Sequence, residues 1–227
     1  MSLSVNRYIY GMETEVKENM QKNLLLLILA VFCNNALSQS VMSPNYGLKT
    51  PETAEITRVD FNDDATVVWL TISSDINNAW FCIDRNTFIV RPDGMKLKLT
   101  GLKGLPYCPA THKFKRPGET ASFSLTFPAT GVLPWFSVVE ECMGGCLSFR
   151  GIITNEVLNR RLDEAYDLAD RGEDNDASRL FEEIIDEIDS LNLGIEGSVY
   201  TSLIIINHRT GREESARLWY TKMMTSG

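Results

Sequence analysis

The residues best equipped for chemistry are four cysteines, Cys82, Cys108, Cys142 and Cys146, the last two in the short run Cys142-Met-Gly-Gly-Cys146. A pair this close suits a small disulfide closing a strand-to-strand turn. It also suits a redox couple, or half of a zinc site. Three intervening residues set it apart from the Cys-x-x-Cys spacing that places a thiolate at a helix start. Zinc would need two further ligands, for which Cys82, Cys108 and His112 are the candidates. The fifth cysteine, Cys33, lies in an apolar N-terminal stretch expected to be removed as an export leader; the four that remain point first to two disulfides, so that reading leads. Three connectivities are open, and sequence proximity favours Cys82–Cys108 with Cys142–Cys146.

Other reactive groups are sparse. His112 and His208 are the 2 histidines. Asp84, Glu140 and Glu141 would meet His112 only by an accident of folding, and no serine sits in a Gly-x-Ser-x-Gly elbow. Glu140 and Glu141 are neighbours on a strand and point to opposite faces, which is wrong for a pair of acids sharing one cleft. Glu173-Asp-Asn-Asp176 is rich in oxygen but lacks the glycine and glutamate spacing of an EF-hand; it reads as a helix start, where acids offset the macrodipole. Trp69, Trp80, Trp135 and Tyr107 could stack on sugar rings, though packing is the commoner use of aromatics in and beside strands. The expectation is therefore no metal, no cofactor and no catalytic residue.

The elements that position these residues begin with an export signal. A short basic start at Met20-Gln-Lys, about ten apolar residues from Leu24 and the small residues Ala36 and Ser38 form a secretory signal peptide. Cleavage after Ser38 is expected, with Met20 as the true start. The apolar run is about half of the roughly 20 residues that cross a bilayer, so no retained membrane span is expected. Bulky Phe32 ahead of Cys33 argues against lipid attachment there. Localisation is expected to be periplasmic or extracellular.

Period-two patterns dominate from Ala54 to Thr154. Val68, Leu70 and Ile72 share one face, as do Phe123, Leu125 and Phe127, and Leu97 with Leu99. Such alternation marks antiparallel sheets with one buried face. Turn signals at Asn62-Asp-Asp64, Pro92-Asp-Gly94 and Arg116-Pro-Gly118 separate the runs. The expected strands are Ala54–Asn62, Thr66–Ser74, Trp80–Arg85, Thr87–Arg91, Met95–Leu102, Ala121–Phe127 and Trp135–Glu141, with Leu147–Thr154 as an eighth. That count favours an all-β immunoglobulin-like sandwich.

The run from Trp80-Phe-Cys through Pro92-Asp-Gly to Leu99-Thr-Gly101, with Pro117–Phe127 and Phe136–Ile152, resembles a β-sandwich module of exported Bacteroidetes proteins. In that family the module often precedes another domain, including thioredoxin-like ones. The resemblance spans residues 54–154 and implies fold and compartment. No Cys-x-x-Cys-bearing domain follows in this chain.

From residue 155 the apolar period becomes helical: Leu158, Leu162, Ala165 and Ala169, then Phe181, Ile184, Ile185 and Ile188. Gly172-x4-Ala177-x3-Phe181 recurs as Gly211-x4-Ala216-x3-Tyr220, 39 residues on, whereas a register of 38 aligns Phe181 with Trp219. Glycine at the turn, alanine at the helix contact and an aromatic one turn later resemble the second helix of a tetratricopeptide repeat. The usual first-helix aromatics are replaced by Arg161 and Leu168. Two such repeats bury little surface, so they should pack on the sandwich, a partner or a second copy. The net charge of −8 falls wholly on residues 154–227, which disfavours nucleic acid as a partner.

The expected organisation is α+β in two domains. Residues 1–38 are leader, 39–154 the sandwich and 155–227 the helical hairpins. The expected function is non-catalytic recognition of a protein or peptide in the cell envelope, with homo-oligomer formation open. A thiol–disulfide role for Cys142 and Cys146 and glycan binding are the alternatives. Tyr166, Arg179, Asn207, Arg209 and Trp219 are the candidate binding residues.

Overall fold

The computed structural model describes residues 39–142 and 144–225; the expected signal peptide lies outside the described residues. The alternating runs build two antiparallel sheets. The first contains, in spatial order, β1 (Gln39–Met42), β3 (Ala54–Phe61), β4 (Ala65–Ser73), β10 (Thr120–Pro128) and β8 (Gly101–Lys103). The second contains β2 (Leu48–Thr50), β12 (Ser148–Ile153), β11 (Trp135–Glu140), β6 (Thr87–Val90) and β7 (Lys96–Lys98). A ribbon of β5 (Trp80–Phe81) and β9 (His112–Lys113) stands apart. The alternation does what period two requires, since Val68, Leu70, Ile72, Phe123, Leu125 and Phe127 are all buried. Phe61 of the first sheet meets Phe136 of the second edge-on at 6.2 Å, so the core lies between the two layers of a β-sandwich.

Two expected strands take a different course. The run Met95–Leu102 is divided: β7 pairs with β6, whereas β8 pairs with β10 in the other sheet. The crossing is at Leu99, whose N–H donates to Thr87 at 2.8 Å, and Thr100, whose N–H donates to Thr126 at 2.8 Å. Alternation continues through the crossing, so the sequence pattern cannot reveal it. The run Trp80–Arg85 leaves the ribbon after Phe81, and Ile83 instead bridges to Tyr107. Both disulfides follow sequence proximity: Cys82–Cys108 and Cys142–Cys146, at separations of 26 and 4.

Four helices follow: α1 (Glu156–Asp170), α2 (Asp174–Ile188), α3 (Glu196–Arg209) and α4 (Glu213–Thr225). Asn155 caps α1, its Oδ1 accepting the N–H groups of Val157 and Leu158, both at 3.0 Å. The α1–α2 and α3–α4 hairpins turn in the same way. Glu173 N–H donates to Leu168 at 2.9 Å and Arg212 N–H to Asn207 at 2.8 Å, 39 residues later. That register holds through the buried Ala177 and Ala216. Beyond it the helices diverge, because Phe181 and Trp219 are the buried aromatics while Tyr220 is exposed.

The described residues belong to one compact unit, and polar contacts across a seam explain why. Asn45 and Asn159 lock β1–β2 onto α1. Asn159 Oδ1 accepts the Asn45 N–H at 2.8 Å and the Asn45 Nδ2 at 3.1 Å, while Asn159 Nδ2 donates to the Ile153 carbonyl at 2.7 Å. Beside them three glycine backbones meet. A Cβ on Gly47 would fall 1.8 Å from the Gly194 carbonyl oxygen, and one on Gly151 2.6 Å from the Gly194 carbonyl carbon. Ser198 Oγ closes the seam by donating to the Gly47 carbonyl at 2.7 Å. Trp135, on the sandwich, packs against the helical core.

Candidate functional site

The seam opens into a cleft of 680 Å³. Leu48 forms one wall; it lies on β2, the edge strand of the second sheet, and is 66% exposed. Tyr166 of α1, Tyr200, Thr201 and Ser202 of α3 and Met223 of α4 form the others. The helical period explains the last set, since residues 201 and 202 lie off the buried stripe of Val199, Leu203 and Ile206. Thr201 and Ser202 turn their hydroxyl protons to helix carbonyls, Gly197 at 2.7 Å and Ser198 at 3.1 Å, leaving oxygen lone pairs as acceptors. The Glu196 carboxylate is engaged by the Leu193 and Gly194 N–H groups at 2.5 and 2.8 Å, which shapes the loop ahead of α3. Tyr166 also lines a neighbouring cleft of 460 Å³ with Pro44, Tyr46 and Glu55, and so stands between two openings along the seam. Its ring lies edge-on to Phe181 at 5.1 Å. Burial pushes its phenol pKa up, against the opposing Ser202 hydrogen bond, so the hydroxyl keeps its proton at neutral pH.

Of the five candidate binding residues, Tyr166 alone lines this cleft. Asn207 is buried and donates from Nδ2 to the Leu203 carbonyl of its own helix at 2.8 Å. Trp219 is buried against Tyr200, with ring centroids 6.1 Å apart. Arg209 staples α3 to the start of α2, donating from Nε to Asp174 at 3.0 Å and from Nη2 to the Ala169 carbonyl at 3.1 Å. Arg179 pairs along the exposed face of α2 with Glu183 at 3.0 Å and Asp176 at 3.5 Å. The acids of the Glu173–Asp176 run thus each face an arginine: Glu173 takes Arg171, Asp174 takes Arg209 and Asp176 takes Arg179. Leu48, Thr201, Ser202 and Met223 carried no sequence signal, because only the tertiary seam brings them together.

Comparison with protein-family models, with curated proteins and with solved structures finds no match.

The aromatic and titratable residues on the sandwich are dispersed. Trp69 is on the outer face of the first sheet, donating from Nε1 to Asp60 at 2.7 Å under the Arg58 guanidinium. Tyr107 packs under Arg85, with the guanidinium 4.0 Å from its ring centre. His112 stands edge-on to Phe114 at 4.8 Å, and its Nε2 has no hydrogen-bond partner among the described residues. A second opening, of 530 Å³, does gather reactive groups: Trp80, Cys82, Cys108, Cys142 and Glu140. Glu140 is buried and accepts the N–H groups of Asp84 and Leu147, the latter at 2.6 Å. Burial pushes its carboxyl pKa up, more than these two donors pull it down, with the Asp84 charge adding to the rise.

A pH dependence follows. A carboxyl whose pKa is raised in the folded state holds its proton more tightly folded than unfolded. The stability it contributes is complete below the ordinary carboxylate pKa and is lost as pH rises through the raised value. Urea unfolding from about pH 4 to about pH 8, bracketing that window, is expected to show wild type losing stability relative to Glu140→Gln as pH rises. Parallel curves would mean that Glu140 is not perturbed.

Proposed function

We propose that this chain is an exported recognition protein whose seam cleft binds, without catalysis, an extended segment of another envelope protein. The observation that supports this is the pairing of walls: an open sheet edge at β2 on one side and the apolar and hydroxyl-bearing faces of α1, α3 and α4 on the other. An extended chain can add to a free edge through its backbone while alternate side chains enter the cleft. Leu48 and Met223 suit an apolar side chain, and the Thr201 and Ser202 oxygens suit backbone or side-chain donors. The helical half serves here as a tetratricopeptide-like wall rather than as an independent groove. Two disulfides fit the oxidising compartment that the leader implies.

Selection of a random peptide library on immobilised residues 39–227 tests this reading. Wild type is expected to enrich peptides with alternating apolar residues. Thr201→Trp, which fills the opening from an exposed position, and Met223→Glu are expected to weaken the selected peptides by at least about tenfold. Unchanged binding by both folded variants would move recognition elsewhere.

A further inference from the structure

The cleft that gathers Glu140 with the cysteines lies on the sandwich, among residues other than those of the seam cleft. The Sγ atoms of Cys142 and Cys146 and a carboxylate oxygen of Glu140 all lie within 4.8 Å of one another. Cys142 and Glu140 both line the opening. Trp80, 63% exposed, and Phe81 present apolar surface beside them. A Cβ built on Gly144 or Gly145 would meet nothing within 4 Å, so the turn carrying the sulfurs faces open space.

The two disulfides are placed differently. Cys82–Cys108 joins segments already tied by the Ile83–Tyr107 bridge and by the Cys108 N–H to Ile83 carbonyl bond at 3.0 Å, and it closes a loop of 26 residues. Cys142–Cys146 spans only 4 residues and therefore restricts the unfolded chain far less. The hairpin it sits on is fastened without it: the Glu140 N–H donates to the Leu147 carbonyl at 2.8 Å, and the Leu147 N–H returns to the Glu140 carboxylate at 2.6 Å. Neither of these two bonds runs through the bridge.

We propose that Cys142 and Cys146 form a working dithiol–disulfide couple that exchanges with the dithiol of a partner protein in this cleft, with Glu140 relaying a proton. An incoming thiolate attacks Cys142 Sγ, the Cys142–Cys146 bond breaks, and Cys146 leaves as a thiolate. Glu140 takes the proton of the partner's second thiol and passes it to Cys146. The deprotonated second sulfur then attacks the partner's first sulfur in the mixed disulfide and releases Cys142, which is protonated from solvent. The partner leaves as a disulfide, oxidised by two electrons, and the cysteine pair is reduced by two. The raised carboxyl pKa of Glu140 suits a group that must both accept and return a proton. The charged group acting on it is Asp84, while Glu141 pairs with Lys96 on the exposed face.

Dithiothreitol as the dithiol, followed by alkylation and peptide mapping of folded protein, tests the couple. Cys142 and Cys146 are expected to be labelled while Cys82 and Cys108 are not, with the far-ultraviolet spectrum unchanged. If all four stay unlabelled until urea is added, the proposal is overturned. Cys146→Ser is expected to hold 5-thio-2-nitrobenzoate on Cys142 as a stable mixed disulfide, and failure to do so on folded protein contradicts the assigned attack. Glu140→Gln is expected to slow reduction by at least about tenfold and to remove an inflection from the pH–rate profile. An unchanged rate and profile would leave Glu140 only a structural tie. If that variant does not fold, the wild-type profile decides. An inflection above the ordinary carboxylate range is expected, and a rise that follows dithiothreitol ionisation alone overturns the proton relay.

Discussion

Gly47→Ala is expected to destabilise the whole protein by about 3 kcal/mol or more, the upper range for forcing extra volume into a filled site. The added Cβ would lie 1.8 Å from the Gly194 carbonyl oxygen and 3.1 Å from the Ile195 Cα, so it meets backbone on both counts. Neither neighbour is free to move. Gly47 donates its N–H to Arg150 at 2.8 Å and accepts from Ser198, and the Gly194 loop is held by the Glu196 carboxylate. Gly151, at φ 63°, presses the same loop from the other side. A loss of that size is a large share of the roughly 5–15 kcal/mol that holds a domain folded. For a chain of this length it lowers Tm by about 10 °C. Thermal unfolding followed by circular dichroism measures it. Gly197→Ala, at a glycine on α3 whose Cβ would meet nothing within 4 Å, is expected to cost far less. If the two variants melt together, the glycine contact does not hold the seam.

Asn159→Ala is expected to cost about 3 kcal/mol, because it strands a half-buried N–H on Asn45 and a buried carbonyl on Ile153. The more exposed partner is the control. Asn45→Ala keeps its own backbone N–H on Asn159 Oδ1 and its carbonyl on the Ile153 N–H at 2.8 Å, losing only the Nδ2 bonds to Asn159 and Asp163. It should cost about 1 kcal/mol. Urea titration read by far-ultraviolet signal and by tryptophan fluorescence is expected to give coincident transitions in both variants, since sandwich and helices share the seam. If Asn159→Ala releases the helices in a separate, earlier transition, the two halves are independent and the seam is only a contact.

Local pattern carried much of this architecture. The alternation in Thr66–Ile72 and Ser122–Phe127 and the nearest-neighbour cysteine pairs are short-range signals realised in the fold, and the glycine-alanine repeat is realised up to Ala177 and Ala216, beyond which Tyr220 is exposed. The seam was illegible for a physical reason. Asn45 and Asn159 are 114 residues apart, and nothing in the neighbourhood of either specifies the other. Gly47, Gly151 and Gly194 read as ordinary turn glycines until three backbones converge. β1, β2 and β9 are too short to show a period, with Val41 the one buried residue of β1. Nothing local to Asn207 or Trp219, both candidate binding residues, shows that the fold buries them. Here Asn207 satisfies its amide on its own helix, and Trp219 fills the space over Tyr200.

Recognition at the seam is tested most directly by site-specific photo-crosslinking in envelope extract, with benzoylphenylalanine placed at Thr201 or at Arg179. Thr201 lines the cleft, whereas Arg179 lies on the outer face of α2. The expected result is a discrete adduct from position 201, competed by unlabelled wild type, abolished by Met223→Glu and absent from position 179. The same adducts from both positions, or an adduct at 201 indifferent to Met223→Glu, would contradict binding in the seam cleft.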